Sequence, residues 1–196
     1  MQLINRMCIH SDPDRATLMA IAGGDRQALA TLYNRHACDL LGYLAHLIGD
    51  ANEAKDLVQE LFLVVWRDAD RFRGASSVRT WLFGIAHNLG LMALRRKRSQ
   101  SLDEATADRL TAPGPDPVDL AALALDRERL YAALATLPAA QRAVIELTFY
   151  HGLTRAEAAQ VMDCPVGTVK SRLHYALRAL AYVMSDENDE LSTPDP

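Results

Sequence analysis

Residues 156–180 read AEAAQVMDCPVGTVKSRLHYALRAL: a short apolar-periodic segment, a tight turn around Asp163 to Gly167, and a longer apolar-periodic segment. Helix, turn and helix in that order are the grammar of a helix-turn-helix. If Leu173 marks the buried centre of the last helix, an advance of about 100° per residue puts Val169, Ala176, Leu177 and Leu180 on the same face. The opposite face then displays Thr168, Ser171, Arg172, Tyr175 and Arg178, with Lys170 and His174 on its flanks. Hydroxyls and cations are the groups that contact phosphates and base edges when a helix enters the major groove. An ordinary amphipathic helix with a solvated polar face has the same pattern, so this segment alone leaves both readings open.

Working upstream, helical spacing covers Arg155 to Met162, Ala139 to His151 with Gly152 placed to cap the end, and Leu120 to Thr136. Before these lies SLDEATADRLTAPGPDPVD, where three prolines and a glycine within five residues preclude regular structure. Further upstream the pattern predicts three more helices. The first starts at Asp25 and ends at Gly49, the second spans about 52–70, and the third runs over 78–98. The third is expected to bury Val78, Trp81, Leu82, Ile85, Leu89 and Met92. The map is therefore a helical domain over 14–98, a flexible linker over 99–118, a helix-turn-helix domain over 119–184, and a disordered acidic tail over 185–196. Composition agrees with an all-α class of two small helical domains: 49% of residues are apolar but only 6% aromatic, with Ala and Leu dominant.

The net charge of −4 argues against a nucleic-acid partner only until it is divided along the chain. Residues 1–98 carry 13 basic and 10 acidic groups, and residues 126–182 carry 7 and 5, so both candidate domains are mildly basic. Residues 99–125 and 183–196 together hold 1 basic group against 10 acidic ones. The acid is thus concentrated in the linker and the tail. Cys8, Cys38 and Cys164 are far apart and form no CxxC pair or zinc-spaced cluster, which predicts reduced thiols in a cytoplasmic protein without a metal cofactor. The N-terminus MQLINRMCIH lacks a sustained apolar run, and the longest strongly apolar run, Leu61 to Trp66, is far too short to cross a bilayer.

Two further stretches carry chemistry. In DLVQELFLVVW, Asp56 to Trp66, Leu57, Val58, Leu61, Phe62 and Val65 suffice for one buried stripe. Leu63 remains on the other side, ringed by Asp56, Gln59, Glu60 and Arg67, which is the anatomy of a small protein-binding patch or simply a lone surface leucine. In DRFRGASSVRTWLFGIAHNLGLMALRRKR, a polar loop of small residues leads into a helix with Trp81 and Phe83 near its start and Arg95, Arg96, Lys97 and Arg98 at its end. Rings stack unpaired bases while cations hold a backbone, so the arrangement suits single-stranded nucleic acid. The alternative is that both aromatics are core, the better reading for Trp81, and that the basic run complements the helix dipole.

Taken in order, the three segments resemble the extracytoplasmic function (ECF) group of the sigma-70 family. DLVQELFLVVW is similar to that family's region 2.2, RFRGASSVRTWLFGIAHN to region 2.3, and LPAAQRAVIELTFYHGLTRAEAAQVMDCPVGTVKSRLHYAL to region 4. The resemblance implies a region 2 helical bundle and a region 4 helix-turn-helix whose partners are core RNA polymerase, through its clamp coiled coil and flap, and promoter DNA. It also implies a cognate anti-sigma factor, of a kind often membrane-anchored and sometimes zinc-binding. Asp56, Gln59, Glu60 and Leu63 are then the polymerase contacts. Phe72, Arg73, Ser76, Ser77, Arg79, Trp81, Asn88, Arg95 and Arg96 serve the minus-10 element, whose flipped base enters the loop from Phe72 to Arg79. Thr168, Lys170, Ser171, Arg172, His174, Tyr175 and Arg178 serve the minus-35 element. Two departures stand out: Met92 occupies a stretch where members usually carry an acid, and Tyr175 and Ala179 stand where many have arginine.

Other classes fit less of the chain. A sigma-like interaction protein that sequesters an anti-sigma factor without touching DNA leaves the retained Thr168, Lys170, Ser171, Arg172 and Arg178 without a purpose. A helix-turn-helix repressor leaves the region 2 resemblance unexplained. An enzyme is disfavoured because the six histidines share no motif with a nucleophile or a metal-ligand set.

Overall fold

The computed structural model describes residues 12–100 and 132–190, and every regular element among them is helical. In chain order these are α1 (Arg15–Ala22), α2 (Arg26–Ile48), α3 (Ala51–Asp68), a 3₁₀ turn (Ala69–Arg71) and α4 (Val78–Gln100), followed by a helical stretch over 132–136. Then come α5 (Ala139–Ile145), which continues as a π-helical turn (Glu146–Tyr150), α6 (Arg155–Val161) and α7 (Val166–Glu190).

Local chemistry explains the boundaries. Asp25 caps α2 by accepting from the amides of Gln27 and Ala28, and Asp50 caps α3 by accepting from Asn52 and Glu53. Gly49, left-handed at φ 73°, lets the chain leave α2 and enter α3 without a Cβ clash. Leu32, Leu40, Leu44 and Leu47 of α2, Leu57, Leu61 and Val65 of α3, and Val78, Leu82 and Ala86 of α4 then interlock as the first core. Gly90 permits the tightest approach, since a Cβ there would lie 2.7 Å from Leu47 Cδ2. In the second unit Thr154 and Glu157 form a capping box that starts α6, and Asp163, at φ 46°, makes the turn into α7.

The three helices expected over 25–98 are present, and α1 is an addition. Its 8 residues bury only Leu18 and Ile21, too short a stripe to show a period, and tertiary contacts hold it. Buried Asp14 beside it binds Arg35 and lies 2.7 Å from His36 Nε2. α7 runs to Glu190, six residues into the stretch expected to be disordered, with no glycine or proline to interrupt it before Pro194. Ser99 and Gln100 belong to α4, and the rest of the expected linker, 101–118, lies outside the described residues, as does most of the helix expected over 120–136. Two burial expectations are corrected. Met92 is 62% exposed because it sits on the outer stripe of α4, and Leu177 is 43% exposed at the rim of a surface groove.

Candidate polymerase and nucleic-acid interfaces

α3 sets out the first surface. Its buried stripe leaves Leu63 70% exposed, with Asp56, Gln59, Glu60 and Arg67 also at the surface and Trp66, one turn on, at the edge of exposure. An apolar side chain held out on a rigid helix among charged neighbours is ready to enter a partner's pocket. Asp68 anchors the end of this helix: the hydrogen bond from Arg67, then the charges of Arg67 and Arg71, outweigh desolvation and hold its carboxyl below the usual range.

A second surface runs along α4. Trp81, Ile85, Asn88, Met92 and Arg95 recur at three- and four-residue spacing and so share one stripe, half-buried at the tryptophan and exposed from Asn88 onward. At its N-terminal end Phe72 packs against Trp81 with ring centroids 5.5 Å apart, so the loop and the helix present a joint aromatic platform. Gly74 turns this loop at φ 70° with the Arg15 guanidinium alongside. Arg73 is exposed and Ser76 half-buried, its hydroxyl 3.2 Å from the Ser77 carbonyl.

Some residues expected to face nucleic acid have other tasks as well. The Ser77 hydroxyl accepts from the amide of Thr80 and pairs with its side chain at 2.8 Å, capping α4. Arg79 is half-buried, 3.4 Å from Asp39 and over the ring of Phe83. Phe83 itself is core, 1% exposed. Arg96 is bound to Glu53 at 2.9 Å, and Lys97 bridges Glu53 and Asp50. Partial burial opposes the Glu53 charge, but Lys97 and Arg96 outweigh it and hold the carboxyl below its ordinary range.

The third surface is α7. Val169, Leu173, Ala176 and Leu180 are buried as the periodicity requires, and Lys170, Ser171, His174, Tyr175 and Arg178 are exposed. Tyr182, 69% exposed, extends the stripe of Ser171, Tyr175 and Arg178 by another turn and was not singled out in the sequence. Thr168 is half-buried, and so is Arg172, whose Nη1 lies 3.7 Å from Cys164 Sγ. Behind α7, Leu134, Ile145, Phe149, Tyr150, Leu177 and Leu180 line an apolar groove of about 260 Å³.

A helix-turn-helix joined to a helical unit that holds an apolar residue out among charged ones, and a half-buried aromatic pair at the start of its neighbouring helix, are the features to set against known families. The family described as Sigma-70 region 2 matches residues 32–100, ending with α4, and Sigma-70, region 4 matches residues 127–180. Among relatives, the ECF RNA polymerase sigma factor SigL of Mycobacterium tuberculosis is 36% identical over 172 residues, covering 87% of this chain and 97% of SigL. The ECF RNA polymerase sigma factor RpoE of Cereibacter sphaeroides is 35% identical over 164 residues, covering 82% of this chain and 88% of RpoE. Among solved structures, CnrH in complex with the cytosolic domain of CnrY superposes with a TM-score of 0.67 at 25% identity, covering 88% of this chain and 97% of that one. RpoE with the anti-sigma factor NepR from Bartonella quintana gives 0.64 at 26% identity, covering 79% and 97%.

The chain belongs to the ECF RNA polymerase sigma factors of the sigma-70 family. As a member of that family it is a transcription initiation factor.

Proposed function

We propose that this chain directs initiation through the three surfaces just described. The α3 patch centred on Leu63, with Asp56, Gln59 and Glu60, docks on the polymerase clamp coiled coil, and the apolar groove behind α7 receives the flap. Phe72, Trp81 and the α4 stripe down to Arg95 hold the unpaired minus-10 strand, with a flipped base in the loop from Phe72 to Arg79. Extruding a base costs a few kcal/mol of stacking and pairing, so a pocket for it promotes strand separation and selects sequence without nucleotide hydrolysis. Ser171, Tyr175 and Arg178, flanked by Lys170 and His174, meet the minus-35 element.

The observation that carries the reading is Leu63, 70% exposed on a helix whose other large apolar residues are mostly buried. An anti-sigma factor controls the chain, as the complexes of CnrH and RpoE with CnrY and NepR suggest. The site of action is the cytoplasm, where the relatives' polymerase works; among the described residues no helix is long and apolar enough to cross a membrane. The test is promoter opening, followed by 2-aminopurine fluorescence in the minus-10 element. The chain with core polymerase should open the duplex, and Trp81→Ala should reduce opening while core binding stays intact. Core binding without opening of any promoter would favour a sigma-like protein that only sequesters an anti-sigma factor.

A further inference from the structure

Several arginines close in sequence to the loop from Phe72 to Arg79 already have partners. Arg67 and Arg71 pair with Asp68 at 2.8 and 3.2 Å, and Arg79 lies 3.4 Å from Asp39. Arg15, the first residue of α1, is different. Its side chain is exposed, and among the described residues it pairs with no carboxylate. It nevertheless touches the loop. A Cβ at Gly74 would stand 3.0, 3.1 and 3.2 Å from Nη2, Nη1 and Cζ of Arg15. Glycine is therefore required there twice, for the left-handed φ of 70° and for the room it leaves the guanidinium.

The backbone that carries Arg15 is tied on both sides. One oxygen of Asp12 accepts from the amide of Asp14 at 3.1 Å, and the other accepts from the amide of Val78, the first residue of α4, at 2.5 Å. The Arg15 amide itself donates to the Asp12 carbonyl at 3.0 Å. Buried Asp14 binds Arg35 and His36 of α2. One carboxylate thus fastens the segment to α4 and the other to α2, and the guanidinium is held against the loop whose Phe72 packs on Trp81. We propose that Arg15 is a further DNA contact, holding a phosphate of the unpaired strand while the Phe72 and Trp81 rings hold its bases. Rings for bases and cations for the backbone are the usual division on such a strand, and Arg15 has no ion pair to give up when a phosphate arrives. Arg15 lies outside residues 32–100, the stretch matched to region 2. That the strand is the minus-10 element rests on the proposed function.

The test is fluorescence anisotropy of labelled oligo(dT) titrated with the full chain over a range of salt, for wild type, Arg15→Gln, Arg15→Lys and Arg26→Gln. A homopolymer serves because a phosphate contact reads no base. Each phosphate contact on a single strand contributes about 0.7 to the slope of log affinity against log salt, so Arg15→Gln should lower the slope by about 0.7 and the affinity about fivefold at roughly 0.1 M salt. Arg15→Lys keeps the charge and should keep the wild-type slope. Arg26, exposed where α2 begins, is the control for net charge, and its replacement should change neither quantity. If lysine behaves as glutamine does, Arg15 serves packing against Gly74 and the proposal is overturned. Equal behaviour of Arg15→Gln and Arg26→Gln, or a wild-type chain that does not bind the oligonucleotide, would overturn it too. Promoter opening by the holoenzyme is read separately: a slope that depends on Arg15, with no promoter opened, would keep this contact and overturn the proposed function.

Discussion

Replacing Leu63 with Asp separates binding from folding. Because Leu63 is 70% exposed, the change should shift stability by no more than about 0.5 kcal/mol, as is usual for surface sites. Leu61, two residues away and fully buried, is the control: Leu61→Ala should cost about 2–5 kcal/mol. On docking, burying a leucine that was mostly exposed contributes roughly 1–2 kcal/mol. A carboxylate in its place adds a desolvation penalty of about 1–3 kcal/mol when it finds no partner. Together these come to about 3 kcal/mol, or a loss of affinity on the order of 150-fold. Fluorescence anisotropy of labelled chain titrated with core polymerase measures the affinity, and thermal unfolding measures the fold. Unchanged affinity at an unchanged melting temperature would refute the assignment of α3 as the docking helix.

Three other outcomes follow from particular contacts. Burial, then the charge of Arg172, push His87 down to about 4, while Tyr43, held protonated by burial and by the charge of Glu146, can donate to its Nδ1. A histidine whose folded pKa is depressed stabilises the fold above its ordinary pKa near 6.5 and loses that contribution as pH falls toward about 4, so the loss relative to pH 7.5 should be on the order of 3 kcal/mol at the acid end. Urea unfolding of wild type and His87→Gln across that window measures it, and parallel pH profiles would sink the idea. Gly90→Ala should destabilise the chain by about 1–3 kcal/mol, because the new methyl meets Leu47 and Leu44, both fully buried and unable to yield freely; calorimetry showing no change would contradict the close approach of α2 and α4. Arg178→Ala in the holoenzyme should lower the salt slope of promoter binding by about one unit if Arg178 holds a phosphate, or cost about 1–3 kcal/mol at one minus-35 position if it reads a base. No change in affinity, slope or preference would remove α7 from the DNA.

Periodicity placed α2, α3, α4, α6 and the start of α7 because each buries a regular stripe, and it separated Leu63 from its buried neighbours for the same reason. It failed at α1, which two buried residues and a pair of long-range contacts from Asp14 hold in place. It also put Met92 inside, since spacing alone does not say how wide the buried face of α4 is. The region 4 cations were visible as a set, yet the half-burial of Arg172 depends on Cys164 and on α4, far away in sequence. The reach of Arg142, on α5, to the last turn of α2 was equally hidden: its Nη1 donates to the carbonyls of His46 and Leu47, about 95 residues away, and no side-chain motif records backbone acceptors.

Run-off transcription with purified core polymerase on genomic promoter fragments tests the central claim most directly. The account predicts discrete transcripts that depend on this chain and arise from promoters sharing minus-10 and minus-35 elements, with Leu63→Asp silent on the same templates. Core polymerase that binds the chain yet yields no chain-dependent transcript from any fragment would contradict it.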